Sequence, residues 1–133
     1  MARSVGQMVA EATTAVPAVK AEDVQRRMQE DPNTLVIDVR DSADARAGSI
    51  PGAINIGYGN LLFAADNEVP EDWRDPRLHD RSRPIITHCV VGPLGAIAAK
   101  TLQDMGFTNV NYMEGGIEAW KAAGFPIEQP SNT

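Results

Sequence analysis

The chain carries one cysteine, Cys89, and two histidines, His79 and His88, and these three side chains bound its nucleophilic and metal chemistry. A lone thiol forms no intrachain disulfide. With only two histidines to help, it also makes a poor zinc set, so no metal is expected. Cys89 follows the apolar run Pro84-Ile85-Ile86-Thr87-His88 and precedes Pro93 and an Ala-rich segment. That pattern reads as strand, tight loop and helix. In open α/β folds, ligands sit at the carboxyl ends of the strands. The first amides of a following helix lack intrahelical acceptors and attract an anion. A thiolate placed there gains from those dipoles, which makes Cys89 a candidate nucleophile. Gly92 lets the loop curl, and Pro93 removes one N–H but suits a helix start. The amides open to an anion are those of Val90, Val91, Gly92, Leu94 and Gly95. A buried cysteine acting as a small hydrophobe is the competing reading, and position alone does not separate the two.

Other polar residues are weighed beside it. Successive strand side chains point to opposite faces, so His88 is expected to turn away from Cys89 as a core or surface histidine. Asp38 and Arg40 end another apolar strand. They read as supports of the site: Arg40 as an ion pair or brace with Asp44, Asp38 as an acceptor for an amide of the Cys89 loop. His79 lies in a polar stretch and reads as solvated. Trp120, at helical spacing from Ile117, reads as core. Trp73 sits among charges as a cover for the pocket or a partner. Glu68, Glu71, Asp72 and Asp75 read as solvated surface.

The elements that must position these residues alternate between two periods. Ser4 and Gln7 have capping-box spacing ahead of Val5, Met8, Val9, Ala12 and Val16, and Pro17 ends that helix. Ala18-Val19 reads as an edge strand and Ala21 to Glu30 as an amphipathic helix. Thr34 to Val39 is a strand buried on both faces. Ser42 to Ala47 is a brief helix and Ala53 to Ile56 a strand. Gly57 to Arg83 reads as a long polar connection with Leu61, Leu62 and Phe63 tucked inward. Pro84 to His88 is the next strand, Gly95 to Met105 a helix stopped by Gly106, Asn109 to Tyr112 a strand, and Gly115-Gly116 opens a last helix. The result is one α/β domain over residues 1–133. It has a central, mostly parallel five-stranded sheet flanked by helices, an N-terminal helical extension over 1–17 and a loose tail over 128–133. The N-terminal helix suits a homodimer contact or packing on its own domain, and both stay open.

Composition narrows the partners. The 133 residues include 12 basic and 18 acidic side chains, a net charge of −6, which opposes a dominant grip on nucleic acid. No apolar run approaches the ~20 residues of a membrane span. With no signal peptide evident and an unpaired thiol, the chain reads as cytoplasmic.

From Val19 to Ile127 the chain resembles the rhodanese-like domains. Leu35-Val36-Ile37-Asp38-Val39-Arg40-Asp41 is similar to the family's first signature, and Gly48-Ser49-Ile50-Pro51-Gly52-Ala53-Ile54-Asn55-Ile56 to its second. Cys89-Val90-Val91-Gly92 stands at the catalytic loop. Leu102-Gln103-Asp104-Met105-Gly106-Phe107 and Glu114-Gly115-Gly116-Ile117-Glu118-Ala119-Trp120 resemble the C-terminal signature.

The resemblance implies sulfur transfer: the cysteine takes sulfane sulfur from thiosulfate or a persulfide, becomes a persulfide, and passes the sulfur to a thiophilic acceptor such as cyanide or a thiol. No cofactor is implied. The implied partner is a small sulfur-containing substrate or a persulfide-bearing protein.

The sequence also departs from the pattern. Leu94 stands where the family commonly has Arg, Gly95 where it has Ser or Thr, and Ser49 where a His is frequent. Related single-domain members have an Arg near Tyr58 and an acid near Leu62. Without a guanidinium for the sulfonate of thiosulfate, a contact worth about 2 kcal/mol is lost. Weak thiosulfate use is therefore expected, with a thiol or persulfide of apolar body preferred in a pocket of Val90, Val91, Leu94 and Tyr58. A rhodanese-related phosphatase is disfavoured, since its loop is one residue longer and closed by Arg. The rival readings are a catalytically weak binding or sulfur-carrier module and a thiol redox sensor.

Overall fold

A computed structural model describes residues 2–130. In chain order the elements are α1 (Val5–Ala15), β1 (Ala18–Val19), α2 (Ala21–Glu30), β2 (Leu35–Asp38), α3 (Ser42–Ala47), β3 (Ile54–Asn55), α4 (Tyr58–Ala64), β4 (Ile85–His88), α5 (Pro93–Asp104), β5 (Val110–Met113) and α6 (Gly116–Ala122). Single 3₁₀ turns at Glu71–Trp73 and Pro76–Leu78 lie between α4 and β4. The strands form one sheet in the order β1-β5-β4-β2-β3, and every pair is parallel.

Parallel strands need helical crossovers, and those crossovers cover both faces. That is why β2 and β4 read as continuous apolar runs, and each is buried at every position. Alternation along β2 splits the core in two. Leu35, Ile37 and Val39 join Ile85, Leu61 of α4 and Leu102 of α5 on one face. Val36 joins Ile86, Val24 of α2 and Ile117 and Trp120 of α6 on the other. The central position of β4, between β5 and β2, sets Cys89 at the middle of the carboxyl edge.

The capping box at the start of α1 is made in both directions. Ser4 Oγ accepts the Gln7 N–H at 3.1 Å, and Gln7 Oε1 accepts the Ser4 N–H at 2.7 Å. The helix packs on α5 of its own domain. Ala12 is buried, as is Val16 just beyond the helix, and Gln103 Nε2 donates to the Ala15 carbonyl at 3.1 Å.

Four expectations are corrected. The Gly57–Arg83 connection is not structureless, since it holds α4 and the two 3₁₀ turns. Tyr58, Gly59 and Asn60 are weak helix formers, so the helix rests on burial of Leu61 and Ala65 one turn apart, a tertiary effect that local propensity hides. Leu62 and Phe63 point outward, and Phe63 meets Trp73 edge to face at a centroid distance of 5.9 Å. The helix after Cys89 starts at Pro93, two residues before Gly95, because proline suits the first helical position. The tail is fixed at its start: Ser49 and Glu128 exchange backbone hydrogen bonds of 2.8 and 2.9 Å. Residues Ser131 to Thr133 of that tail lie outside the described residues. No helix among those described is long and apolar enough to cross a membrane.

Candidate active site

Four residues, Cys89 to Gly92, join β4 to α5. The turn is tight because Gly92 adopts φ +131°, a region closed to most side chains. This curl brings the Gly92 N–H to 3.2 Å from Cys89 Sγ, to which it donates. The start of α5 is pressed onto the end of β4. A Cβ at Gly95 would lie 3.0 Å from His88 Cα, and the buried Thr87 hydroxyl donates to the Gly95 carbonyl at 2.6 Å. Leu94 and Gly95 lie in the first helical turn, where N–H groups have no intrahelical acceptor. The N–H groups of Val90 and Val91 meet no acceptor among the described residues.

Cys89 is 5% exposed and forms part of an open cleft of about 330 Å³. Val90, Val91, Pro93 and Leu94 make one wall, and Arg40, Asp41 and Asp44 the other. The loop valines are strongly exposed, at 44% and 59%. The thiol therefore sits low in a mostly apolar cleft that also carries three charged residues.

The charged wall differs from the expectation of a neutral pocket. The loop itself has no cation, but Arg40 reaches the cleft from the end of β2. Its partner is Asp38 and not Asp44. Arg40 Nε lies 3.0 and 3.1 Å from the two Asp38 carboxylate oxygens, and Nη2 donates to Oδ2 at 2.8 Å. Nη2 also donates to the Gly48 carbonyl at 2.7 Å. The hydrogen-bonded Asp38 carboxylate raises Arg40 above its already high ordinary value, and Asp44 adds a weaker pull in the same direction. Asp38 Oδ1 takes the backbone N–H of Arg40 at 3.0 Å, so this carboxylate braces the β2 end and not the Cys89 loop. Asn55, on the neighbouring strand, donates to the Asp38 and Arg40 carbonyls at 2.9 Å each. The one cation of the cleft is thus fixed in place and neutralised.

Tyr58 stands apart from the cleft in which it was expected. Thr101 Oγ1 donates to the Ile97 carbonyl at 2.9 Å, which leaves the Tyr58 hydroxyl as donor in its 3.0 Å bond to Thr101. Tyr58 lines a neighbouring hollow with Asp41, Ser42 and Asn55. Ser49 is buried and donates to the Ala45 carbonyl, closing α3. His79 is exposed. Trp120 is buried and donates to the Pro126 carbonyl at 2.8 Å. Another hollow, of about 390 Å³ between Ala64 and His79, shares no wall with Cys89 and holds no nucleophile. No cluster of three or more metal-ligating side chains occurs among the described residues.

Two sets of contacts to the loop escaped the sequence reading. The first turn of α6 approaches the back of the loop: Ile117 N–H donates to the Cys89 carbonyl at 2.9 Å and Glu118 N–H to the Val90 carbonyl at 3.1 Å. His88 is fully buried, with Nδ1 3.2 Å from the Cys89 carbonyl oxygen, and its Nε2 has no partner. Burial holds His88 below its ordinary value, against the opposing pull of Asp38. The Gly115-Gly116 pair was the one available signal for the close approach of α6.

Comparisons with known proteins bear on the family and the fold. Residues 20–123 match the model of the rhodanese-like domain. A sulfurtransferase of Allochromatium vinosum is 27% identical over 115 residues, covering 86% of this chain and 97% of its own. The thiosulfate:glutathione sulfurtransferase of Saccharomyces cerevisiae is 28% identical over 106 residues, with 77% and 76% coverage. Among solved structures, a Rhodopseudomonas palustris protein of unknown function, described as a possible tyrosine phosphatase, superposes with a TM-score of 0.87 at 32% identity over 96% of each chain. The chain belongs to the rhodanese-like domain family.

Proposed function

From that membership we propose that the protein is a sulfurtransferase that carries sulfane sulfur on Cys89, with a persulfide of apolar body as donor and a thiol as acceptor. The observation that carries this reading is the Cys89 Sγ at the base of the cleft, taking the Gly92 N–H at 3.2 Å while neighbouring amides stay free. The Cys89 thiolate attacks the outer sulfur of a donor R–S–S⁻. A new sulfur–sulfur bond forms, the old one breaks, and R–S⁻ leaves with the electron pair. An acceptor thiolate then attacks the outer sulfur of the Cys89 persulfide and restores the Cys89 thiolate. No external oxidant or reductant enters. Loop amides stabilise the negative sulfur at each stage.

Thiosulfate is disfavoured on charge. Its sulfonate needs a free cation, and Arg40 is already neutralised by Asp38. Asp41 and Asp44 on the same wall repel a dianion. Phosphoryl transfer is disfavoured for the same reason, because the loop from Cys89 to Gly95 contains no guanidinium to hold three phosphoryl oxygens. An unpaired thiol fits a reducing compartment such as the cytoplasm.

The test is intact-mass analysis of the parent and Cys89→Ser after exposure to an alkyl persulfide with an uncharged body or to thiosulfate. The parent gains one sulfur, removable by cyanide as thiocyanate, faster from the persulfide; the variant gains none. Absence of an adduct on the parent overturns the transferase reading in favour of a binding module. Oxygen addition under peroxide as the sole adduct favours a redox sensor. Rapid loading from thiosulfate overturns the donor assignment.

A further inference from the structure

The back of the Cys89 loop is held as firmly as its front is open. The Cys89 carbonyl takes the Ile117 N–H at 2.9 Å and lies 3.2 Å from His88 Nδ1, while the Val90 carbonyl takes the Glu118 N–H at 3.1 Å. In a trans peptide the C=O and N–H of one unit point in opposite directions. Drawing the Cys89 and Val90 carbonyls onto α6 therefore turns the N–H groups of Val90 and Val91 away from it. Those are the amides left without acceptors among the described residues.

We propose that His88 is a positioning residue of this loop: its Nδ1–H, with the Ile117 N–H, fixes the Cys89 carbonyl so that the following amides serve the sulfur. This deepens the persulfide reading and rests on it. A carbonyl oxygen can only accept, so Nδ1 carries the ring proton and Nε2 is bare. Nε2 is the atom found buried without a partner. That orphan is unfavourable, and a residue needed only to fill this fully buried position would be apolar. The cost is explained if Nδ1 is the useful atom. Burial keeps the ring neutral, with Asp38 and Arg40 pulling its charge in opposite senses, so a single tautomer can serve throughout. His88 does not touch the reacting sulfur and acts through the backbone of its neighbour.

Two substitutions separate positioning from filling. His88→Phe keeps the ring volume, removes the donor and leaves no orphan. His88→Asn sets an amide N–H close to the place of Nδ1. Sulfur transfer from an alkyl persulfide with an uncharged body to cyanide, scored per persulfide-loadable Cys89, should lose about ten-fold in kcat in His88→Phe, as expected for one lost hydrogen bond in the transition state. The KM should stay unchanged, and His88→Asn should regain most of the rate. The alkylation rate of Cys89 by iodoacetamide should follow the same order, and that readout survives if the protein never forms a persulfide. On the parent, ¹⁵N spectra of the His88 ring should show the Nδ1–H tautomer whether or not the variants fold. Parental rates in His88→Phe, no recovery in His88→Asn, or an Nε2–H tautomer would each overturn the proposal. A parent that takes no sulfur while the alkylation order holds would instead sink the transferase reading and leave the positioning role standing.

Discussion

Gly116→Ala tests the support behind the loop most directly. Gly116 opens α6 at φ +60°, and a Cβ there would lie 2.5 Å from the Val90 carbonyl oxygen and 2.6 Å from that of Cys89. Ordinary contact begins near 3.4 Å, so α6 and the loop must separate by about 0.9 Å. Both obstacles are backbone atoms and cannot swing aside as a side chain would. That separation takes the Ile117 and Glu118 donors, now at 2.9 and 3.1 Å, out of good hydrogen-bond range. Two lost backbone hydrogen bonds cost roughly 2 kcal/mol, and a left-handed alanine roughly 1 more. The helix preference of alanine over glycine returns up to ~1 kcal/mol, less at a first helical position. The balance is a destabilisation of about 2–3 kcal/mol, measured by urea unfolding at an unchanged slope. In the protein that remains folded, persulfide transfer per titrated thiol should fall, because the Val90 and Val91 amides are released. A variant within ~0.5 kcal/mol of the parent that transfers sulfur at the parental rate would show that α6 does not hold the loop.

Tyr58→Phe removes the single bond to Thr101 and lowers stability by about 1 kcal/mol, while steady-state transfer kinetics stay parental; a changed KM would return Tyr58 to the substrate pocket. Stability should also depend on His88 through pH. Burial depresses its folded value below the ordinary 6.5, so the unfolded chain binds the proton first. The contribution is fully present above pH 6.5 and is lost as pH falls from there towards the folded value, with a slope of at most ~1.4 kcal/mol per unit. Urea midpoints between pH 7 and 5 should fall more steeply for the parent than for His88→Phe. Equal slopes would place the titration elsewhere.

What the sequence made legible was local. The strand-loop-helix around Cys89, the apolar runs of β2 and β4 and the Ser4–Gln7 cap each follow from spacing within a dozen residues. The bracing of Arg40 was not legible, because Asp38 two residues away and Asp44 four away are equally good partners on paper. Backbone direction at the end of β2 decides for Asp38, by letting its carboxylate take both the Arg40 N–H and the guanidinium. α4 was hidden by Tyr58-Gly59-Asn60, whose weak propensity is overruled by burial of Leu61. Strand alternation correctly separated the His88 side chain from the thiol face. It said nothing of the Cys89 carbonyl, whose oxygen lies 3.2 Å from His88 Nδ1.

Strand order explains why the missing parts are the distant ones. With β5, β4 and β2 adjacent and parallel, the segments leaving their carboxyl ends emerge along one edge. The segment after β2 brings Arg40, Asp41 and Asp44 to one side of Cys89. The segment after β5 brings Gly116, Ile117 and Glu118 to its other side. One flank thus supplies fixed charge and the other backbone donors, from parts of the chain that share no local pattern with the thiol. The two flanks act on different properties. On the proposed reading, exchanging charges at Asp41 or Asp44 should change which donors approach, whereas disturbing Gly116 or His88 should change how well any bound sulfur is stabilised. The two flanks meet at the four-residue loop and are not isolated from each other, since the Val39 N–H donates to the His88 carbonyl at 2.9 Å and the Asp38 and Arg40 charges act on the His88 ring.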